Sequence, residues 1–196
     1  MTSRPTPTSA DWGLDSYERL AHEIASLRGS APEPDTALRA FAESVLYREA
    51  RLLDDGDLES WLSLMTADCV YWIPSNPTGG DPMNEVSLAF DDHRRLIDRV
   101  YWLRTGLVSA QLPPSRTRRL ISNVEAWAGP DDATVFVRSN FLLHEFRAGR
   151  QRILSGWYGH VLTLAPNPTV DSTLISTKVI FLTDSDHGHD NLTVVF

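Results

Sequence analysis

Apolar residues recur at two different periods along this chain, and the change from one to the other divides it. Tyr17, Leu20, Ile24 and Leu27 fall at helical spacing through residues 15–28, which predicts a helix with one apolar stripe. Pro32 and Pro34 in the stretch Gly29–Asp35 break it. A second stripe of Phe41, Val45, Leu46, Leu52 and Leu53 runs to Gly56, a residue suited to the left-handed turn after a helix. Asp57 is placed to cap a third helix, with Leu58, Trp61, Leu62 and Met65 at i, i+3, i+4 and i+7. Val70–Ile73 then switch to β-rich chemistry, and Pro74 closes that strand. Pro77, Gly79, Gly80 and Pro82 make Ser75–Met83 a loop. Asp91 or Asp92 caps a further helix with Leu96, Ile97, Val100 and Leu103 on one face, ending near Gly106.

After Pro113 and Pro114 the pattern is strand-like over Arg119–Ala128, Ala133–Arg147, Gln151–Leu164, Thr173–Thr183 and Leu192–Phe196. Gly129–Asp132 and Ala148–Arg150 read as hairpin turns, so antiparallel pairing follows. Ile175, Thr177, Val179 and Phe181 alternate imperfectly with Ser176, Lys178 and Ile180, which predicts strands buried on both faces. One face meets the helices, and an apolar second face needs a covering partner. Helices first and strands afterwards define an α+β domain.

Composition narrows the class without naming a function. At 196 residues, 42% hydrophobic and 22% charged, the chain has room for one sizeable core plus a tail. Residues 1–10, rich in Pro, Ser and Thr, are expected to be disordered. A net charge of -8 argues against a nucleic-acid partner, which favours a basic surface. No apolar run approaches the roughly 20 residues that span a bilayer, and the first residues lack the apolar centre of a secretory signal. The expected location is cytoplasmic. The single Cys69 cannot form an internal disulfide, in keeping with a reducing compartment.

Candidate chemistry is sparse. His187 and His189 flank Gly188 beside Asp190, an i, i+2 spacing that places both rings on one side of an extended segment. A solvated turn explains the same pattern, and no metal site is assigned. His144 follows Phe141, Leu142 and Leu143, and His160 follows Trp157 and Tyr158, so both are expected to point into the core. Arg116 and Arg118 alternate on one side of an extended SRTRR run. They are either a solvated strand end or a contact to carboxylates across an interface. Trp61, Trp72, Trp102, Trp127 and Trp157 are core or interface aromatics. No P-loop, dinucleotide-binding glycine pattern or G-x-S-x-G elbow occurs.

The words of Tyr47–Pro74 (YREARLLDDGDLESWLSLMTADCVYWIP), with EVSLAFDD, Arg99–Gly106, QLPPSRTRRLISNV, KVIFLTDSD and Asn191–Phe196, resemble the small (β) subunit of Rieske non-haem iron ring-hydroxylating dioxygenases. The resemblance covers Thr36–Phe196, leaving residues 1–35 as an N-terminal arm with one short helix. It implies a curved antiparallel sheet packed on N-terminal helices, the cone of nuclear transport factor 2 and ketosteroid isomerase. It also implies a structural subunit in a mixed assembly, commonly three large and three small subunits. In that family the large (alpha) subunit carries a Rieske [2Fe-2S] cluster and mononuclear Fe(II), and a reductase or ferredoxin delivers electrons from NAD(P)H. One cysteine cannot hold a Rieske cluster, which takes two cysteines and two histidines. No catalytic, cofactor-binding or metal-binding residue is therefore expected in this chain. The strand LSGWYGHVL, with Trp157 and Tyr158 where many relatives carry an arginine-rich segment, departs from the pattern. The words look most like benzoate-type subunits. The rival reading is a self-sufficient isomerase, dehydratase or cyclase of the same fold, with Asp91 as base and Tyr71 or His144 donating to an oxyanion. A third is a cone that binds a small ligand without chemistry.

Overall fold

The computed structural model describes residues 14–29, 35–105, 112–188 and 194–196. Four helices and six strands follow in the order α1 (Leu14–Arg28), α2 (Thr36–Asp55), α3 (Leu58–Leu62), β1 (Met65–Pro74), β2 (Ser87–Asp92), α4 (His93–Thr105), β3 (Arg116–Ala128), β4 (Thr134–Arg147), β5 (Arg150–Thr163) and β6 (Leu174–Leu182). The expected disorder of residues 1–10, the helix end at Gly106, and His189 and Asp190 lie outside the described residues.

The local signals act as their chemistry dictates. Asp35 accepts the N–H groups of Ala37 and Leu38 and starts α2. Gly56, at φ 74°, ends it. The Gly56 N–H donates to the Leu53 carbonyl and the Asp57 N–H to that of Leu52, a Schellman pair that only a left-handed residue permits cheaply. Asp57 then caps α3 through the Ser60 N–H, and Asp92 rather than Asp91 caps α4 through Arg95. Helix α3 is shorter than its periodicity predicts. Met65 enters β1 because it pairs with Ile175, whose N–H bonds to the Leu64 carbonyl, so tertiary pairing overrides the stripe.

The strands form one sheet in the order β2-β1-β6-β5-β4-β3. The expected antiparallel pairing of the later strands holds at β3–β4, β4–β5 and β5–β6, while β1 pairs antiparallel with β2 and parallel with β6. Strand β2 was not predicted. It is a half-buried edge strand whose alternation is too short to register as a period. Val194–Phe196, expected in a final strand, is buried but not in a strand. Its backbone serves the interior instead, as described below.

Each face of the sheet has its own cluster. The inner face, against α2, α3 and α4, gathers Val45, Leu46, Trp61, Tyr71, Leu96, Leu143 and Phe196. The outer face gathers Val70, Trp72, Phe136, Val179 and Phe181 under Leu20, Ile24 and Leu27 of α1. Helix α1 thus packs on its own chain, with Leu20 and Leu27 fully buried, each worth roughly 1.5–3 kcal/mol. Arg19 pairs with Asp68 at 2.7 Å and Thr177 donates to Glu23 at 2.6 Å, fixing the rotation of α1.

The β4–β5 hairpin turns through Ala148 and Gly149, at φ 49° and 79°. Two positive angles define a type I′ turn, which favours Asn-Gly. Ala148→Asn is expected to raise stability by roughly 1 kcal/mol, the order of the left-handed penalty for a Cβ-bearing residue. An unchanged urea midpoint would show that the turn carries no strain.

Candidate functional site

The space between the helices and the inner face of the sheet contains a charged cluster built around Glu49. Glu49 lies on the apolar stripe of α2, among Val45, Leu46 and Leu53. Its Oε1 accepts from Lys178 Nζ of β6 at 2.6 Å and from Trp61 Nε1 of α3 at 3.1 Å. Its Oε2 lies 3.1 Å from His160 Nε2 of β5. Glu49, His160 and Lys178 are all at most 3% exposed. One carboxylate thereby ties a helix to two strands and a second helix, which fixes how the layers sit on one another.

The protonation states follow from these bonds. Burial works to raise the Glu49 carboxyl, but the Lys178 ammonium and the His160 ring overcome it and hold the group well below its ordinary range. Burial disfavours the charged forms of both cations, lowering His160 and drawing Lys178 down to about 8 despite Glu49. An ionised Glu49 only accepts, so the proton of a neutral His160 sits on Nε2. His160 Nδ1 has no partner among the described residues.

These shifts set the sign of the acid response. A carboxyl held below its ordinary 4.5 contributes stability above that pH and loses it as pH falls. A histidine buried neutral takes up its proton in the unfolded chain first, so acidification below 6.5 also favours unfolding. Stability is expected to fall as pH drops from about 7, first through His160 and then, below about pH 5, through Glu49, with Glu49→Gln flattening the part below about pH 5. Urea midpoints from about pH 7 to about pH 2 test this. A profile for wild type that matches Glu49→Gln below about pH 5 would mean that Glu49 is not ionised.

Aromatic groups and the segment Val194–Phe196 fill the rest of the interior. The Phe196 N–H donates to the Tyr71 hydroxyl at 3.0 Å, and the Phe196 ring lies edge-on to Phe141 at 5.9 Å. Phe141 stacks on Tyr158 at 4.0 Å, and Lys178 Nζ lies 4.7 Å from the Tyr158 ring centre. Burial pushes the Tyr71 hydroxyl up to about 12 and raises that of Tyr158 as well. Nearer the mouth, Asp54 at the end of α2 accepts from Arg119 and Thr117 of β3, and Arg119 also donates to the Val195 carbonyl. A cleft of about 210 Å³ opens there, bordered by Leu53, Leu58, Leu103, Thr117 and Arg119. The polar heads of Thr117 and Arg119 are already paired.

The rival catalytic trio does not assemble. Asp91 and Tyr71 are cross-strand partners on the inner face. Asp91 is held by two bonds from Arg99, whose guanidinium lies 5.9 Å from the Tyr71 ring centre. His144, expected in the core, is exposed on the outer face beside Gln151 at 3.3 Å. Phe141, Leu143 and Glu145 take the inward positions of β4, and period-two alternation sends His144 the other way. His160 does reach the core. His187 pairs with the neighbouring Asp186 at 2.8 Å. No group of three metal-ligating side chains comes together among the described residues. Cys69 is buried, which raises its thiol to about 12.

Sequence reasoning did not single out Glu49, Lys178, Asp54 or Arg119. The available signal was a charge inside an apolar period, as with Glu49 on the α2 stripe and Lys178 within ISTKVIFL. Of the tryptophans, Trp61, Trp72 and Trp127 are buried, while Trp102 is half exposed.

The fold is an α+β cone whose interior, among the described residues, holds the Glu49 charge cluster and stacked aromatic rings. The profile described as Ring hydroxylating beta subunit matches residues 48–185, and the chain belongs to that family. It is 37% identical over 113 residues to the small oxygenase component of the p-cumate 2,3-dioxygenase system of Pseudomonas putida, covering 57% of this chain and 62% of that one. It is 35% identical over 107 residues to the benzoate 1,2-dioxygenase subunit beta of Acinetobacter baylyi, covering 52% and 63%. Both alignments span under two thirds of the relative's length. The crystal structure of the benzoate 1,2-dioxygenase beta subunit of Burkholderia mallei superposes with a TM-score of 0.65 at 27% identity, covering 84% of this chain and 99% of that one.

Proposed function

We propose that this chain is the structural small subunit of a multicomponent oxygenase that cis-dihydroxylates an aromatic ring, and that it is inactive alone. The observation that carries the reading is the filled interior. Glu49 accepts from Lys178 and Trp61 and is bonded to His160, Phe196 donates to the Tyr71 hydroxyl, and Asp91 is committed to Arg99. The residues of this chain do not fit a Rieske centre, since it has one cysteine. In this reading the [2Fe-2S] cluster and mononuclear iron belong to a large alpha subunit, in a three-plus-three assembly. Electrons come from NAD(P)H through a reductase or ferredoxin. The p-cumate and benzoate names of the relatives favour an aromatic acid as substrate.

Residues 36–196 act as the subunit domain and 1–35 as an arm. No helix among the described residues is long and apolar enough to cross a membrane, and we place the assembly in the cytoplasm. The test is native mass and iron content of the chain alone and after co-expression with its large subunit. Iron and acid-labile sulfide found only in a mixed oligomer support the reading. A small oligomer that ignores the large subunit sinks it. Tyr71→Phe separates the rival: turnover of the assembled oxygenase is expected unchanged, whereas a catalytic cone loses its oxyanion donor and most of its rate.

A further inference from the structure

Helix α1 covers the outer face of the sheet unevenly. It seals the end built from Trp72, Phe136 and Phe181 and leaves the other end of β3, β4 and β5 bare. There the pairing register sets Arg118, His144 and Ile153 in one row across the three strands, and Leu120, Leu142 and Ser155 in the next. Leu120, Leu142 and Ile153 are 66%, 47% and 67% exposed, aliphatic side chains in neighbouring rows of this face. Exposed aliphatics clustered this way mark an interaction surface rather than scattered solvent contacts.

Charge tells what covers them. The row beyond begins with Arg116, whose guanidinium lies 4.7 Å from the Phe146 ring centre. Among the described residues Arg118 bonds to main-chain carbonyls, those of Asp54 and Thr117, and makes no ion pair with a carboxylate. The first acid along this face of β3 is Glu125, set opposite Arg138 in register. In a chain of net charge -8, this patch is cationic around an apolar centre. A two-fold contact with a second copy about an axis along these rows would set its arginines near their own equivalents, an arrangement that like charge disfavours. A shallow depression of about 490 Å³ beside Leu142, bounded by Pro77, Asn140 and Trp157, offers a seat for an inserted side chain.

We propose that the bare end of β3–β5 is the surface on which the large oxygenase subunit docks, through apolar side chains flanked by carboxylates. This rests on the structural-subunit reading above. The experiment co-expresses a tagged large subunit with wild type, Leu120→Asp/Ile153→Asp or Arg116→Glu/Arg118→Glu, and measures small subunit recovered per large subunit. Both variants are expected to lose at least ~10-fold in recovery, because a buried unpaired or like charge at an interface costs several kcal/mol. The urea midpoint of each free chain is expected to stay near wild type, since the altered side chains are exposed.

Recovery equal to wild type in both variants overturns the proposal. So does loss of assembly with Tyr101→Asp/Trp102→Asp on α4 while the sheet variants assemble normally. A fall in the native mass of the free chain, with large-subunit recovery intact, assigns the face to contacts between small subunits and also overturns it. If wild type itself fails to bind the large subunit, the structural-subunit reading falls instead, a result the wild-type arm reads directly.

Discussion

Replacing Glu49 by leucine is expected to destabilise the chain by about 3–5 kcal/mol, because it leaves the Lys178 ammonium buried without its carboxylate. The effect comes from what remains, not from the bond removed. Lys178 is 1% exposed and donates to Glu49, so loss of that acceptor strands a charge in the core. The Trp61 Nε1 and His160 Nε2 donors lose their acceptor in the same step. The double variant Glu49→Leu/Lys178→Met is expected to regain much of the loss, since an apolar pair of similar volume often matches a buried ion pair. Urea unfolding of wild type, both single variants and the double variant forms a cycle that isolates the coupling. A Glu49→Leu cost below about 1 kcal/mol, with no coupling, would mean that Lys178 finds water or another acceptor.

Phe196→Ala is expected to cost about 3–5 kcal/mol as well, the range for deleting a fully buried aromatic ring. Phe196 is 0% exposed and belongs to the same cluster as Trp61, Tyr71 and Leu143. Its ring closes the interior against Phe141, while its N–H holds the Tyr71 hydroxyl. The two contributions separate by mutation. Tyr71→Phe removes the hydrogen bond and keeps the ring, which predicts a loss of only about 0.5–1.5 kcal/mol. If Phe196→Ala and Tyr71→Phe prove equally mild, Val194–Phe196 is an appendage and the cone is open. Binding of a small apolar dye to the Phe196→Ala variant would show the same interior made accessible.

Both results bear on function through one physical point. A cone enzyme must keep a polar interior accessible to substrate, with a base whose pKa suits the working pH. Here Glu49 ties α2 to α3, β5 and β6, and Asp91, Tyr71 and His144 do not converge. That arrangement suits the structural role we propose. The basic, apolar end of β3–β5 then becomes the surface of interest, because Leu120, Leu142 and Ile153 stand exposed there in neighbouring rows.

Local chemistry determined much of this protein from the sequence by itself. The Gly56 turn, the Asp57 cap, the α1 stripe and the β4–β5 hairpin follow from residues within one or two turns of one another, and no long-range pairing competes with them. The family words of Tyr47–Pro74 and SRTRRLISNV carried the class of the protein for the same reason, being contiguous. Only the tertiary structure decided which side of β4 faced inward. His144 and His160 look alike in their apolar surroundings, yet alternation exposes one and buries the other. It also decided that Met65 leaves α3 to pair with β6, and that Glu49, His160 and Lys178 meet across separations of 111 and 129 residues. No local pattern encodes such contacts. They exist because the sheet sets β5 and β6 side by side and next to β1, where the Glu49 carboxylate meets a buried ammonium and a buried neutral imidazole.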